Sequence, residues 1–267
     1  MNLKGEEEMK GIIKSQLYET KGSWAFWIAG LLTFVMTLID WIEGPNFYVG
    51  EGPYTGMAAL GNSDHSIPMY FFCFVIASFM CRDWKNKTMY LDVLSGYSRR
   101  EVFFGRVIPA FLIGVIATLF FSYGGACCYS IVNGWGFGVD IGTFFVVMLQ
   151  YILLLFRLMG EMVLLSILVK RTSIVVIAVL ILDYLEFTIL IAGMGVIKNP
   201  WYFGLLITKQ WVCPEPMEIL TNEGELLQIY SYGALSFEDG MVMVSSFVIG
   251  GICLLAAYRM FAKKQLS

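Results

Sequence analysis

The chain has 267 residues, of which 58% are hydrophobic and 15% charged, and its formal net charge is −3. Soluble domains average about 45–50% apolar and about 25% charged residues, so this composition disfavours a lone soluble enzyme or a nucleic-acid binder. It also excludes intrinsic disorder, which needs low hydrophobicity and high charge. Long apolar runs without alternation disfavour a β-barrel. We therefore predict an all-α polytopic membrane protein, because helices satisfy their backbone hydrogen bonds inside lipid.

The N-terminal segment, residues 6–21, is predicted to form an interfacial amphipathic helix. Met9, Ile12, Ile13 and Leu17 fall on one helical face, and most of the lysines fall elsewhere. Such a helix lies in the membrane interface with its lysines toward anionic lipid headgroups. An ordinary frayed N-terminus is the alternative. We expect no cleavable signal peptide, because the first apolar stretch follows a charged segment and lacks a clear small-residue cleavage site.

Six apolar stretches are predicted to cross the bilayer, since a span needs about 20 helical residues. They are residues 24–42, 66–81, 107–132, 142–169, 173–197 and 241–261. Only Lys170, Arg171 and Thr172 separate the fourth stretch from the fifth. This basic hinge predicts two separate spans rather than one very long helix.

The positions of lysine and arginine predict the orientation of the spans. Most of the 18 basic residues lie before the first span, between spans two and three, in the hinge, or after the last span. Basic loops favour the cytoplasmic side, so both termini are predicted to be cytoplasmic. The other loops are acidic, and residues 198–240 are predicted to be a long extracellular loop. Within that loop we expect an interfacial or re-entrant stretch at Ile197–Ile207 and a surface helix at Met217–Tyr230.

Motifs for catalysis, nucleotide binding and metal binding are absent from the sequence. There is no GxxxxGK[ST] phosphate loop, no GxSxG and no CxxC, and the chain has a single histidine, His65. We therefore expect a chain that is not an enzyme and holds no cofactor or metal of its own. Its energy would come from an ion gradient or from a separate ATPase subunit.

The segment between spans two and three, residues 82–106, is the most informative part of the sequence. It predicts a short helix over Lys85–Leu94 that ends at Ser95-Gly96, where glycine serves as a left-handed cap. Ser98 and Glu101 have the spacing of a capping box, which predicts a second helix running from Arg99 into the third span.

Two short helices around a glycine turn would form a docking surface for a soluble partner. Apolar side chains would enter a groove in that partner, and basic side chains would stand at its rim. The apolar residues are Tyr90, Leu91 and Leu94, and the basic residues are Arg99 and Arg100. A solvated, positively charged loop is the alternative.

The loop resembles the corresponding loop of ABC-2-type permeases, the membrane subunits of one class of ATP-binding-cassette transporters. The residues that carry the resemblance are Asp83, Thr88, Leu94, Ser95, Ser98, Arg99, Gly105 and Arg106. The six spans, the N-terminal helix and the long outer segment extend the likeness over nearly the whole chain. The start at Met9–Glu19 resembles permeases of bacteriocin (lantibiotic) immunity and of peptide or drug export. The sequence departs from the family pattern at Asp83, where members often have Glu, and at Lys87-Thr88, where they often have Gly-Thr.

The resemblance implies one permease domain over residues 1–267 in a bacterial plasma membrane. Two permeases, as a homodimer or a heterodimer, would assemble with two cytoplasmic ATPases, which bind ATP and Mg. The loop would supply the coupling helix, and the cargo would be an amphipathic peptide or drug moved outward. The implied ATPase-coupling residues are Asp83, Thr88, Tyr90, Leu91, Leu94, Ser98, Arg99 and Arg100.

Four ionisable residues are predicted to lie within the bilayer, namely Arg157, Glu161, Asp183 and Glu186. At 1.5 Å per residue, Arg157 and Asp183 both lie about 18–20 Å from the hinge, which predicts that they pair. Glu161, one turn from Arg157, can share its charge.

Buried charges of this kind either lock spans together or line an aqueous path. If they served an ion gradient, the chain would be a secondary transporter or a channel rather than an ABC permease. A scaffold or sensor subunit that transports nothing is a third hypothesis.

Overall fold

The structure is a computed structural model that describes residues 11, 13–16, 18, 21–47, 66–134, 141–194, 215–220, 226–231 and 237–263. Between Trp24 and Lys263 the described part contains seven helices and one two-stranded hairpin. The helices are α1 (Trp24–Phe47), α2 (Ser66–Lys85), α3 (Thr88–Leu94), α4 (Arg99–Asn133), α5 (Ile141–Val169), α6 (Thr172–Met194) and α7 (Phe237–Lys263). The strands are β1 (Glu215–Leu220) and β2 (Leu226–Ser231).

Four helices in the described part are long and apolar enough to cross a membrane. They comprise Ile67–Lys85, Arg99–Asn133, Phe144–Val169 and Gly240–Lys263. Their outer faces are also apolar: on α4, exposed side chains recur every fourth residue, at Ile108, Leu112, Ile116 and Phe120. A continuous apolar outer stripe suits contact with lipid rather than water. The chain is therefore a helical, membrane-embedded protein.

Within the described residues, the predicted apolar stretches fall on helices. The apolar segments described on α1 and α6 are Trp24–Ile39 and Thr172–Leu182. The basic hinge separates α5 from α6 as predicted, because Lys170 leaves the helical conformation with φ 56°. Residues 195–197 of the fifth predicted span lie outside the described residues.

The centre of the bundle is α2, which packs against α1, α4, α5 and α6. Phe72, Ile76 and Met80 on this helix are fully buried. Phe72 reaches the backbone of α4 at Gly114, where a Cβ atom would lie 2.7 Å from the Phe72 ring. A larger residue at position 114 would therefore displace the buried Phe72 ring.

A close crossing of two helices joins α5 to α7. A Cβ atom on Gly160 would overlap the Gly250 carbonyl oxygen, so both backbones meet where side chains are missing. Beside this crossing the rings of Phe156 and Phe247 stack with centroids 5.7 Å apart. Small residues allow this kind of close packing between membrane helices.

The longest helix is α4, with 35 residues and Pro109 inside it. A helix of that length measures about 52 Å, against about 30 Å for a bilayer core. It begins at Arg99, as the capping-box prediction required, and contains the third predicted span.

A hairpin occupies the segment in which we predicted a surface helix at Met217–Tyr230, so that prediction is wrong. Strands β1 and β2 pair antiparallel, with Met217 opposite Ile229 and Ile219 opposite Leu227. Apolar and polar residues alternate at Met217-Glu218-Ile219 and at Leu227-Gln228-Ile229, and Asn222 and Gly224 in the sequence between the strands are typical of hairpin loops. The predicted stretch Ile197–Ile207 lies outside the described residues.

Candidate functional site

A buried ionic network fixes the loop between α2 and α4. Asp83 at the end of α2 is 1% exposed, and Arg106 on α4 is 3% exposed. The Asp83 Oδ1 atom lies 2.7 Å from Nη1 of Arg106. On its other side Arg106 binds Oδ2 of Asp92 on α3, with Nη2 at 2.5 Å and Nε at 3.2 Å. One arginine thus ties together three successive helices.

Further hydrogen bonds satisfy the Asp83 carboxylate, as a buried charge requires. Nε2 of Gln16 in the N-terminal segment donates to Oδ2 of Asp83 at 2.8 Å. The Thr88 hydroxyl is 3.3 Å from both the main-chain oxygen and Oδ1 of Asp83. Asp83 therefore joins the N-terminal segment, α2, α3 and α4 at one point.

A break in the helix precedes α3, and a backbone cap closes its C-terminal end. Lys87, with φ 55°, interrupts the helix that we predicted over Lys85–Leu94, so α2 ends at Lys85 and α3 begins at Thr88. The C-terminal end was predicted correctly: Gly96 has φ 105°, and its N–H donates to the Val93 carbonyl at 3.1 Å. The N–H of Tyr97 donates to the Asp92 carbonyl at 3.2 Å. These two bonds form a Schellman motif.

The predicted capping box at Ser98 is confirmed. The Ser98 hydroxyl accepts from the Glu101 N–H at 3.2 Å. In return the Ser98 N–H donates to the Glu101 carboxylate at 3.1 Å. Because both bonds are local, they set the direction in which α4 starts, next to the end of α3.

The short helix α3 has a buried face and an exposed face. Met89 is fully buried, and the Tyr90 ring packs edge-on against Trp84 with centroids 5.7 Å apart. Burial also raises the pKa of the Tyr90 hydroxyl, which keeps it neutral. Leu91 and Leu94, by contrast, are 59% and 68% exposed. Of the three predicted groove residues, the leucines are available to a partner and Tyr90 faces the bundle.

The two predicted rim arginines also differ. The Arg99 guanidinium donates to the main-chain carbonyl of Ala262 near the end of α7, so this side chain turns inward. The Arg100 side chain is exposed. We use the name leucine face for the exposed side chains of the loop that were predicted to meet a partner, namely Leu91, Leu94 and Arg100.

Sequence reasoning missed the contributions of Gln16 and Asp92 to the network and assigned no role to Arg106 beyond its place in the motif. A signal for Gln16 was present, because this polar residue follows Ile12 by one helical turn on the apolar face of the N-terminal segment. For Asp92 the signal was its position three residues after the apolar Met89 on a short helix.

Of the four predicted intramembrane charges, the structure describes the side chains of two, Arg157 and Glu161. Nε of Arg157 donates to Oε1 of Glu161 at 2.8 Å, one turn along α5, and Arg157 is 6% exposed. The Gly160–Gly250 crossing lies beside this pair, since a Cβ atom on Gly250 would be 2.9 Å from the Arg157 Cα. The side chains of Asp183 and Glu186 lie outside the described residues, so the pairing of Arg157 with Asp183 stays a prediction.

Within the residues that the structure describes, no three His, Cys, Asp or Glu side chains come together as a metal site would require. No protein-family model matches the chain, and no curated protein matches it. The interpretation of the site therefore depends on its own geometry and on the sequence pattern of the loop.

Proposed function

We propose that this chain is the membrane-spanning permease subunit of an ABC exporter. A separate ATPase subunit would bind ATP and Mg, and its movements would drive an amphipathic substrate, such as an antimicrobial peptide or a drug, outward. The observation that carries the proposal is the leucine face held by the Asp83–Arg106–Asp92 network. In this proposal the chain itself is not an enzyme and binds no nucleic acid.

The leucine face has the properties that a force-receiving contact needs. Exposed leucines on a short helix, followed in the chain by an exposed basic residue, suit an amphipathic element that enters a groove in a partner protein. A contact that transmits force must also be rigid, and α3 is held by its C-terminal cap and by buried charges. Exposed side chains on a mobile loop would yield to the partner instead of moving the spans.

The proposed working unit contains two permeases and two ATPases, with the permeases identical or different. Each permease would have six spans in a bacterial plasma membrane and both termini in the cytoplasm, where the leucine face meets the ATPase. The distribution of lysine and arginine along the chain supports this orientation.

A second candidate is an ion-gradient-driven secondary transporter or channel. The buried Arg157–Glu161 pair favours it, since ionisable groups inside a membrane protein often mark an ion pathway. This candidate leaves the leucine face without a role, and we therefore place it second.

Co-purification with a candidate ABC ATPase tests the proposal. Leu91→Ser and Leu94→Ser, singly and together, remove exposed apolar surface without touching the buried network. Leu168→Ser is the matched control, because Leu168 is 57% exposed near the hinge and lies outside the loop. We expect the double variant to lose the ATPase and the control to retain it. Retention by the double variant would contradict the assignment of the leucine face.

A further inference from the structure

The inward-turned Arg99 connects the loop to the end of the last helix. Its guanidinium donates to the carbonyl of Ala262, which is 163 positions away in the sequence. The last carbonyls of a helix have no intrahelical donor, and a cation there also interacts favourably with the helix dipole. Arg99 therefore acts as a cap on α7 that is supplied by the first residue of α4.

Aromatic packing reinforces this connection. The Phe103 ring on α4 lies 5.5 Å from Tyr258 and 5.8 Å from Phe261, with which it stacks. Trp84 at the end of α2 lies 5.7 Å from Phe261. Phe103, Phe261 and Trp84 are all buried. Tightly packed rings transmit displacement rather than absorb it. We call this set, together with Arg99 and Ala262, the aromatic joint.

The middle of α7 lies against the Arg157–Glu161 pair. Gly250 is in backbone contact with α5 at Arg157, about 18 Å along the helix from Ala262. The helix continues without interruption between these two points. Helix α7 is therefore attached to the loop near its C-terminal end and contacts the buried ion pair's helix, α5, at its centre.

From these contacts we propose that α7 relays displacement of the loop to the Arg157–Glu161 pair, with Arg99 and Phe261 as the positioning residues that attach α7 to the loop. The inference rests on the proposed function in one respect only, namely that the ATPase is the source of the displacement. The relay consists of contacts within this chain alone, so it does not require the partner to be bound.

The native thiol of Cys253 reports on the far end of the relay. It lies one helical turn beyond Gly250, on the helix that crosses α5 at Arg157. The probe is a protein with the other five cysteines changed to serine, reconstituted in nanodiscs and labelled with methanethiosulfonate ethylammonium. The cysteines to be replaced are Cys73, Cys81, Cys127, Cys128 and Cys213.

Arg99→Ala is expected to change the labelling rate of Cys253 about threefold or more, the size of effect seen when coupled positions are mutated. Arg99→Lys, which keeps a donor for the Ala262 carbonyl, should restore a rate near that of the unchanged protein. The matched control is Arg171→Ala, since Arg171 is an exposed arginine in the hinge, outside the loop. An unchanged rate in Arg99→Ala, or an equal change in Arg171→Ala, would overturn the relay.

A reciprocal measurement covers the case in which Arg99→Ala folds poorly. Coupling between two sites acts equally in both directions. Glu161→Gln should therefore increase amide hydrogen exchange at residues 99–103 and 258–263, while Gly251→Ala, on the open side of α7, should not. Unaltered exchange in Glu161→Gln would refute the proposal.

Neither measurement needs the ATPase. Suppose that the permease binds no ABC ATPase, but Arg99→Ala still alters the labelling of Cys253. That result would contradict the proposed function and support the relay. The opposite pair of results would remove the relay and keep the function.

Discussion

Arg106 binds two acidic side chains that belong to different helices, and this makes it the most consequential single residue in the loop. Asp83 is fully buried, and Asp92 is about a quarter exposed. A buried ion pair need not stabilise a protein more than apolar side chains in the same place would. Removal of one partner, however, leaves the remaining charges buried, unpaired and away from water. The network therefore gives the loop one shape instead of several.

Replacement of Arg106 by leucine should be strongly destabilising, because it leaves the Asp83 carboxylate buried without its cation. We expect a loss of about 3–5 kcal/mol, measured by equilibrium unfolding in detergent. The added change Asp83→Asn should recover part of that loss. Arg100→Leu, at an exposed arginine, should change stability little, and a similar loss there would argue against a specific network.

The Arg157–Glu161 contact predicts the result of a charge reversal. Either single change, Arg157→Glu or Glu161→Arg, places two like charges one turn apart, so each should lower the unfolding midpoint in detergent. The double variant restores an opposite-charge pair and should recover most of the midpoint. If Arg157→Asp with Asp183→Arg recovers more, the contact between α5 and α6 predicted from the sequence is the dominant one.

At the scale of helices, the crossing of α5 and α7 distinguishes two adjacent glycines. Gly250→Ala would place a Cβ atom 2.9 Å from the Arg157 Cα, whereas a Cβ on Gly251 meets no atom within 4 Å. We expect Gly250→Ala to cost about 1–3 kcal/mol through overpacking. Gly251→Ala should be neutral or should stabilise by up to about 1 kcal/mol through helix propensity. Thermal unfolding of both proteins in the same detergent makes the comparison, and equal midpoints would contradict the close crossing.

The helices were predictable where local sequence determines them. Apolar run length located α2, α4, α5 and α7, and the Ser98–Glu101 spacing located the start of α4. The interruption at Lys87 was not predicted, since lysine itself carries no signal for a left-handed conformation. The one hint was that the resembled family often has glycine at this position.

The candidate site was predictable in position but not in its internal contacts. The loop pattern identified Leu91 and Leu94 as partner-facing residues, and both are exposed. It also placed Arg99 at the rim, but Arg99 bonds to a carbonyl 163 residues away. Contacts between residues that are distant in sequence leave no periodic trace in the sequence. For the same reason the Gln16–Asp83 bond, which spans 67 positions, was missed.

At the scale of the whole molecule, the orientation predicted from the basic residues can be measured with an impermeant maleimide on intact cells. In a protein whose only cysteine is Cys213, we expect labelling from outside. In a second protein, with Ser95→Cys as the only cysteine, labelling should require permeabilised membranes. Ser95 is exposed at the end of α3, so failure to label there after permeabilisation would point to misfolding rather than to topology. Labelling of both cysteines from the same side would contradict the proposed arrangement.

The excess length of α4 has a mechanical consequence. At about 52 Å the helix exceeds a bilayer core by roughly 20 Å, so its first turns can stand clear of the headgroups and carry the leucine face away from the membrane. Pro109 has no N–H, and the carbonyl of Gly105 consequently lacks its helical donor. The ladder of hydrogen bonds is weakest just inside the protruding turns that hold Arg106. A sideways push on the first turns would bend the helix at Pro109, so that residues 99–108 would move as a short arm against the longer remainder of α4.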